Sequence, residues 1–355
     1  MLKQYPALRY VLTRGMWYLI TFFVAVTLNF LLPQLGASNP VDLLMAKVST
    51  GLDSKAAQEK EEAYLKEFRL VEIDAAGNLL RTADGKPVRT PLIKQFRNYL
   101  QMCLHGDLGT SFLNYPKKVT DIIFAALPWT LALQIPTILL GWIIGNLLGT
   151  LAAYRRGVFD RVVFPASLLI SAIPSFAFGM LLVYQFAISF EIFPAMGGYA
   201  GDLIPTFSGA FFSSVAYHYV LPFLSIFLIC AGGQAIGVRS MCIYELGTDY
   251  VRYAKWLGIK ENKILLYLFR NAMLPQLTGL ALSLGAMIGG ALITEMIFSY
   301  PGLGTAVLTA IQGNDYPLIQ GCTLLITTSV LLANFSVDIL IGFLDPRVRA
   351  GHGNQ

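Results

Sequence analysis

The sequence predicts an all-α polytopic membrane protein of six transmembrane helices, with a small α+β insert between the first two. Three observations predict it. Of the 355 residues, 55% are hydrophobic and only 13% are charged, where a soluble domain carries about 25% charged residues. Apolar runs long enough to cross a bilayer lie at roughly 16–33, 127–153, 162–190, 219–241, 275–297 and 318–343. Lys and Arg are concentrated in alternate loops. In lipid only helices and closed barrels satisfy their backbone groups. These runs are too continuous for barrel strands, which alternate over about ten residues.

Taken in order, the chain opens with "MLKQYPALRYVLTRGMW", basic and then apolar, with no small-residue cleavage site at a suitable distance. It reads as a retained first span, residues 1–33 including its tail, rather than a removed signal peptide. Residues 34–122 form the extracytoplasmic insert. "DSKAAQEKEEAYLKEFRL" is rich in helix formers, and "VEIDAAGNLLRTADGKPV" carries two glycine turns between short β-prone runs. "IKQFRNYLQMCL" sets Ile93, Phe96, Leu100 and Cys103 on one helical face. The other five spans occupy 123–346, and 347–355 is a tail. Pro128, Pro136, Pro174, Pro222 and Pro275 punctuate them. Gly141, Gly145 and Gly149 stand four apart, as do Gly285 and Gly289, a spacing that lets helix backbones approach closely, within the chain or across a dimer face.

Orientation follows the positive-inside rule. Lys3, Arg9 and Arg14 precede span one; Arg155, Arg156 and Arg161 follow span two. Arg239, Arg252, Lys255, Lys260, Lys263 and Arg270 follow span four, and Arg347 and Arg349 close the chain. The loops 191–218 and 298–317 contain neither Lys nor Arg. Both termini and the loop around 242–263 are therefore expected on the cytoplasmic side. The insert holds about a dozen basic residues, but long loops translocate regardless of charge.

The net charge of +5 is thus a topology signal, and its scatter over separate loops argues against nucleic-acid binding. The four cysteines form no CxxC, and Cys103 with His105 falls short of a metal ligand set, so no metal is expected. "ADGKPV" is not a phosphate-binding loop: Leu80 stands where the first glycine is needed and Pro87 where Ser or Thr is needed. No nucleophile–base set and no cofactor motif occurs, so the chain is not expected to be an enzyme or to hold a cofactor. Glu295 and Asp338 are acidic residues inside or near span ends; at mid-bilayer a carboxylate costs about 2.5–3.5 kcal/mol on insertion scales, which marks a pathway or a buried partner.

The polar stretch "ELGTDYVRYAKWLGIKENK" interrupts the apolar chain. Thr248 or Asp249 can cap a helix start. Tyr250, Ala254 and Leu257 then share one face, with Arg252 and Lys255 on the other. Gly258 supplies a left-handed C-cap, and a second helix starts near Glu261. An isolated amphipathic helix this short, about 15 Å at 1.5 Å per residue, is marginal in water and needs lipid headgroups or a protein groove to lie on.

This stretch resembles the EAA loop of bacterial ABC importer permeases, with Gly258 in the place of the loop's glycine. "DYVRYAKWLGIKENKILLYLFRNAMLPQL", "ITEMIFSYPGLG", "NDYPLIQG", "LDPRVR", "GDLGTSF", "LPWTLAL", "AAYRRGVFDR" and "SAIPSFAFG" are similar to the dipeptide/oligopeptide permease family. The resemblance implies a type I ABC importer permease fold. It implies ATPase coupling through Glu245, Leu246, Gly247, Asp249, Tyr250, Val251, Arg252, Ala254, Lys255 and Gly258. Candidate pathway residues in the spans are Glu295, Pro174 and Ser175. Implied partners are a second related permease subunit, two cytoplasmic ATPase subunits that hold ATP and Mg, and an extracytoplasmic solute-binding protein. The family moves di- and oligopeptides, and relatives carry oligosaccharides or nickel. An ion-coupled secondary transporter would instead show internal repeats and mid-membrane ionisable groups. Trp256 and Leu257 depart from the usual small and basic residues, and the insert is longer than usual.

Overall fold

The computed structural model describes residues 6–34, 54–67, 70–74, 78–82, 87–290 and 292–344. The C-terminal tail, and with it most of "LDPRVR", lies outside the described residues. In chain order the helices are α1 (Pro6–Gln34), α2 (Ser54–Glu67), α3 (Leu92–Leu104), α4 (Val119–Arg155), α5 (Gly157–Ala172) and α6 (Ser175–Leu182), the last continuing as a π-helical segment, Val183–Ser189. There follow α7 (Gly209–Leu246), α8 (Asp249–Trp256), α9 (Glu261–Gly290), α10 (Leu292–Ile297), α11 (Leu303–Gly313) and α12 (Tyr316–Leu344). Among the described residues β structure is limited to isolated bridges.

Among the described residues four helical stretches are long and apolar enough to cross a membrane: Tyr10–Leu31, Val119–Arg155, Gly209–Leu246 and Tyr316–Ile339. The third expected span is not one rod. Gly157–Ala172 and Ser175–Ser189 meet at a bend of 100°. Proline has no N–H to continue the helix, and it pushes the residue before it to extended backbone; Ile173 accordingly has ψ 131°. The expected fifth span, 275–297, falls on α9 and α10, which do not meet the same length and composition. The expected loop 298–317 contains a short apolar helix, α11.

Prolines inside helices leave a carbonyl without its helical donor. In α4 the carbonyl four residues before Pro136 belongs to Ala132, and it accepts a 3.1 Å hydrogen bond from the Tyr219 hydroxyl. The helix therefore continues through the proline.

The chain forms two compact units. The first comprises Met1–Tyr18, Leu127–Thr305 and Ser329–Gln355. Here the glycine ladder of α4 meets α7. A Cβ on Gly145 would lie 2.4 Å from the Ala231 carbonyl oxygen, and one on Gly149 2.3 Å from that of Ala235. Gly285 meets Ala333 in the same way, at 2.3 Å. The α4 ladder and Gly285 thus pack within the chain, the first of the alternatives the spacing allows. Asp338 is met by Arg14 at 3.5 Å and by the Tyr18 hydroxyl at 3.0 Å, while the Tyr10 hydroxyl donates to its carbonyl oxygen at 3.2 Å. The acidic residue in the last span thus has an ionic partner on the first.

The second unit comprises Leu19–Ala126 and Ala306–Thr328. Phe30 of α1 packs against Phe96 and Tyr99 of α3, and Asn29 donates to the Tyr99 hydroxyl and to the Gln320 carbonyl. Ile93, expected on the same face, is instead exposed, while Lys94 beside it pairs with Glu72 at 2.8 Å. In the insert, antiparallel bridges Val71–Arg89, Ile73–Leu79 and Arg81–Pro87 follow α2. Leu65 and Val71 are buried beneath Tyr64, Leu70 and Leu79. Buried Asp315 accepts from the Ser111 hydroxyl at 2.5 Å and from the Leu113 and Leu318 amides at 3.1 and 3.2 Å. It ties the loop before α4 to the start of α12.

Candidate functional site

The stretch 245–263 folds as a helix end, a short helix, a turn and a helix start. Glu245 and Leu246 close α7, and Gly247 is its C-cap in ordinary right-handed backbone. Thr248 is the N-cap of α8 by backbone, but its hydroxyl donates to the Glu245 carbonyl at 2.5 Å rather than capping an amide. Asp249 in the first turn and Lys255 in the last complement the helix dipole. Arg252 pairs with Asp249 at 3.5 Å in the open, a contact worth under about 1 kcal/mol.

Gly258 follows with φ +71°. Its amide donates to the Lys255 carbonyl at 3.0 Å, and the Ile259 amide donates to the Ala254 carbonyl at 3.1 Å. This pair of bonds is the Schellman ending, with Ile259 as its apolar clasp. Ile259 packs onto a core of Ala153, Val238, Cys242, Val251, Ala254, Ile264, Leu268 and Ala272.

The face of α8 that packs inward differs from the expected one. Val251 and Ala254 are buried, and Leu246 joins the same core. Tyr250 and Leu257, expected beside Ala254, lie outside it. Leu257 is 60% exposed, Tyr253 61% and Trp256 77%. The protein thus anchors a very short helix through two small residues and leaves an apolar, aromatic ridge bare, flanked by Arg252 and Lys255. Tyr253 is the residue missed in the sequence, although its i, i+3 relation to Trp256 was there to read.

Glu245, Tyr250 and Asn271 form a hydrogen-bonded chain. The Asn271 amide donates to the Tyr250 oxygen at 2.9 Å, and the Tyr250 hydroxyl donates to Glu245 Oε2 at 2.6 Å. Partial burial, and after it the hydrogen bond to Glu245, push the Tyr250 phenol above its usual value. These bonds link the end of α7, the first turn of α8 and α9.

The second group of predicted residues lies around the bend. Pro174 and Ser175 line an open cavity of about 410 Å³, together with Ser171, Ile226, Ile229 and Cys230. The Ser175 hydroxyl lies 3.2 Å from that of Thr294. Glu295, the next residue, is fully buried and faces elsewhere. Its Oε2 accepts from the Gly304 amide at 2.7 Å, its carbonyl accepts from the Tyr300 amide at 2.9 Å, and Thr130 Oγ1 accepts from the Leu303 amide at 2.9 Å. A Cβ on Gly302 would sit 2.3 Å from Glu295 Oε2, so the loop needs glycine there. Oε1 has no hydrogen-bond partner among the described residues. Glu295 is thus a clasp for the segment "SYPGLG", and Thr294 is the member of the pair that reaches the bend.

Apolar helices long enough to cross a membrane, with one short amphipathic helix anchored at a helix–helix turn, are the features of an integral membrane protein. Residues 145–350 match the family described as the binding-protein-dependent transport system inner membrane component, and the chain belongs to that family. It is 34% identical over 275 residues to the di/tripeptide transport system permease DppB of Pseudomonas aeruginosa, covering 73% of this chain and 81% of the relative. It is 32% identical over 278 residues to the dipeptide transport system permease DppB of Escherichia coli, with the same coverage. The oligopeptide transport system permease AppB of Bacillus subtilis is 28% identical over 343 residues, 96% of this chain and 98% of the relative. The chain is therefore a multi-pass membrane subunit of ABC import machinery, a class that works with ATPase and solute-binding partners.

Proposed function

We propose that this chain is the transmembrane permease subunit of an ATP-driven importer of di- and oligopeptides, and that residues 245–258 are its contact with the ATPase. The observation that carries this is α8 itself. It is fastened to the protein by Val251 and Ala254 and capped by Gly258, and it presents bare Tyr253, Trp256 and Leu257. A helix held this firmly while exposing this much aromatic surface is complementary to a groove. Aromatic anchors of this kind carry most of the binding energy of an interface. Val251, Ala254 and Leu246 are the fixed side of the joint. Glu245, Tyr250 and Gly247 set its angle, and Asp249, Arg252 and Lys255 flank the ridge. The relatives' names support peptide as the cargo.

In this reading the chain has a type I importer fold with six crossings, the fifth made by α9 and α10, and both termini in the cytoplasm. The insert lies on the outer side. A second related permease completes the translocation path, two cytoplasmic ATPase subunits supply ATP and Mg, and a solute-binding protein delivers cargo. The chain itself holds no cofactor. Pro174 and Ser175 shape the path at the bend, and Glu295 fixes the outer loop beside it.

Replacing Tyr253 and Trp256 together by aspartate removes the aromatic anchors without touching the buried face. The affinity of the permease in nanodiscs for its ATPase subunit should fall at least about tenfold, the equivalent of about 1.4 kcal/mol. Unchanged affinity would contradict the assignment.

A further inference from the structure

The best-formed ion pair among the described residues lies away from α8. Arg239 of α7 holds Asp160 of α5 with Nε to Oδ1 at 2.6 Å and its second contact, Nη2 to Oδ2, at 2.7 Å. This is the two-pronged arrangement that fixes both groups in one geometry. The guanidinium also lies 4.1 Å from the centroid of the Phe164 ring. Asp160 and Phe164 begin a stripe on α5 that continues through Ser167 and Ser171 at helical spacing. Ser167 is buried against Gly232 of α7, where a Cβ would lie 3.1 Å from the Ser167 carbonyl oxygen and 3.6 Å from the Ser171 Cβ. Ser171 lines the cavity at the bend. One face of α5 is therefore joined to α7 from its first turn to the cavity, a distance of about 16 Å at 1.5 Å per residue. Beyond Arg239, α7 runs directly into Glu245, Leu246 and the α8 turn.

We propose that Asp160 and Arg239 are positioning residues that form a strut, making α5 move with α7 so that displacement of α8 changes the cavity at Ser171–Ser175. The proposal rests on the coupling role given to α8 above. Without the two-pronged pair, α5 keeps its small-residue contacts with α7 but loses the restraint at its first turn, and α7 can shift without carrying the bend along. Arginine serves better than lysine here, because lysine keeps the charge but offers neither the fork nor the flat face over Phe164.

The test uses the complete reconstituted complex with an Ala172→Cys reporter at the exposed wall of the cavity. Its alkylation by N-ethylmaleimide is read by peptide mass spectrometry, so the native cysteines stay. The otherwise native complex should show a labelling rate that differs several-fold between the nucleotide-free and ADP-vanadate-trapped states. In Asp160→Asn and in Arg239→Gln that difference should shrink to less than twofold while vanadate is still trapped. Arg239→Lys should be intermediate. The exchanged pair Asp160→Arg with Arg239→Asp should recover at least half of the difference, which a general loss of packing would not allow. Single variants that keep the full difference, or an exchanged pair no better than the singles, would overturn the strut and leave the coupling role of α8 standing. No nucleotide-dependent labelling in the otherwise native complex would overturn both.

Discussion

Gly258→Val should uncouple the importer: ATP hydrolysis by the assembled complex persists while import per ATP falls by about tenfold or more. A Cβ at Gly258 would meet nothing within 4 Å, so crowding is not the reason. The backbone is at φ +71°, a conformation that costs an ordinary L-residue about 1–2 kcal/mol, with a β-branched residue among the least able to adopt it. Relaxing that strain breaks the paired bonds from Gly258 to Lys255 and from Ile259 to Ala254. Ile259 is then no longer aimed at the core beneath α8, and the helix loses its fixed angle. Asparagine visits left-handed backbone far more readily. Gly258→Asn should therefore stay near wild type, and reconstituted transport with simultaneous ATPase measurement checks both. Equal coupling in Val and Gly forms would show that the turn is only a connection.

Glu295→Ala should be strongly destabilising, and Glu295→Gln should be mild. Alanine leaves the buried Gly304 amide without an acceptor, which costs about 1–3 kcal/mol, and opens a space beside Thr130 and Gly302 that costs about 2 kcal/mol more. Glutamine keeps an oxygen for the Gly304 amide and removes a buried carboxyl whose Oε1 has no partner among the described residues. The expected outcome is a melting temperature lowered by several degrees in the alanine form, and near-native melting with retained import in the glutamine form. If glutamine abolished import at normal stability, Glu295 would act by its charge in the path rather than as a clasp.

These contrasts show which parts of the molecule are legible in its sequence. Gly258, Pro174 and the start at Glu261 act through local backbone chemistry, so residue type alone announces them. The inward face of α8 is different. Val251, Tyr253, Ala254, Trp256 and Leu257 are all apolar or aromatic within seven positions, so helical spacing picks no single face. Packing decides it: only small Val251 and Ala254 fit against Cys242, Leu268 and Ala272. The α11 helix is hidden because its apolar run is too short for a crossing and follows the glycine and proline of "SYPGLG". Glu295 binds main-chain amides, which leave no side-chain signature, and the pairs Asp160–Arg239 and Arg14–Asp338 join distant parts of the chain. Long-range partners of that kind are set by the fold and not by neighbouring residues.

The central claim is that the ridge on α8 faces the cytoplasm and is covered by the ATPase. Trp256→Cys labelled with a membrane-impermeant maleimide tests it directly. The account predicts labelling in inside-out vesicles but not in right-side-out vesicles, and loss of labelling once ATPase subunits are bound. Labelling from the outer side, or labelling undiminished in the assembled complex, would contradict it.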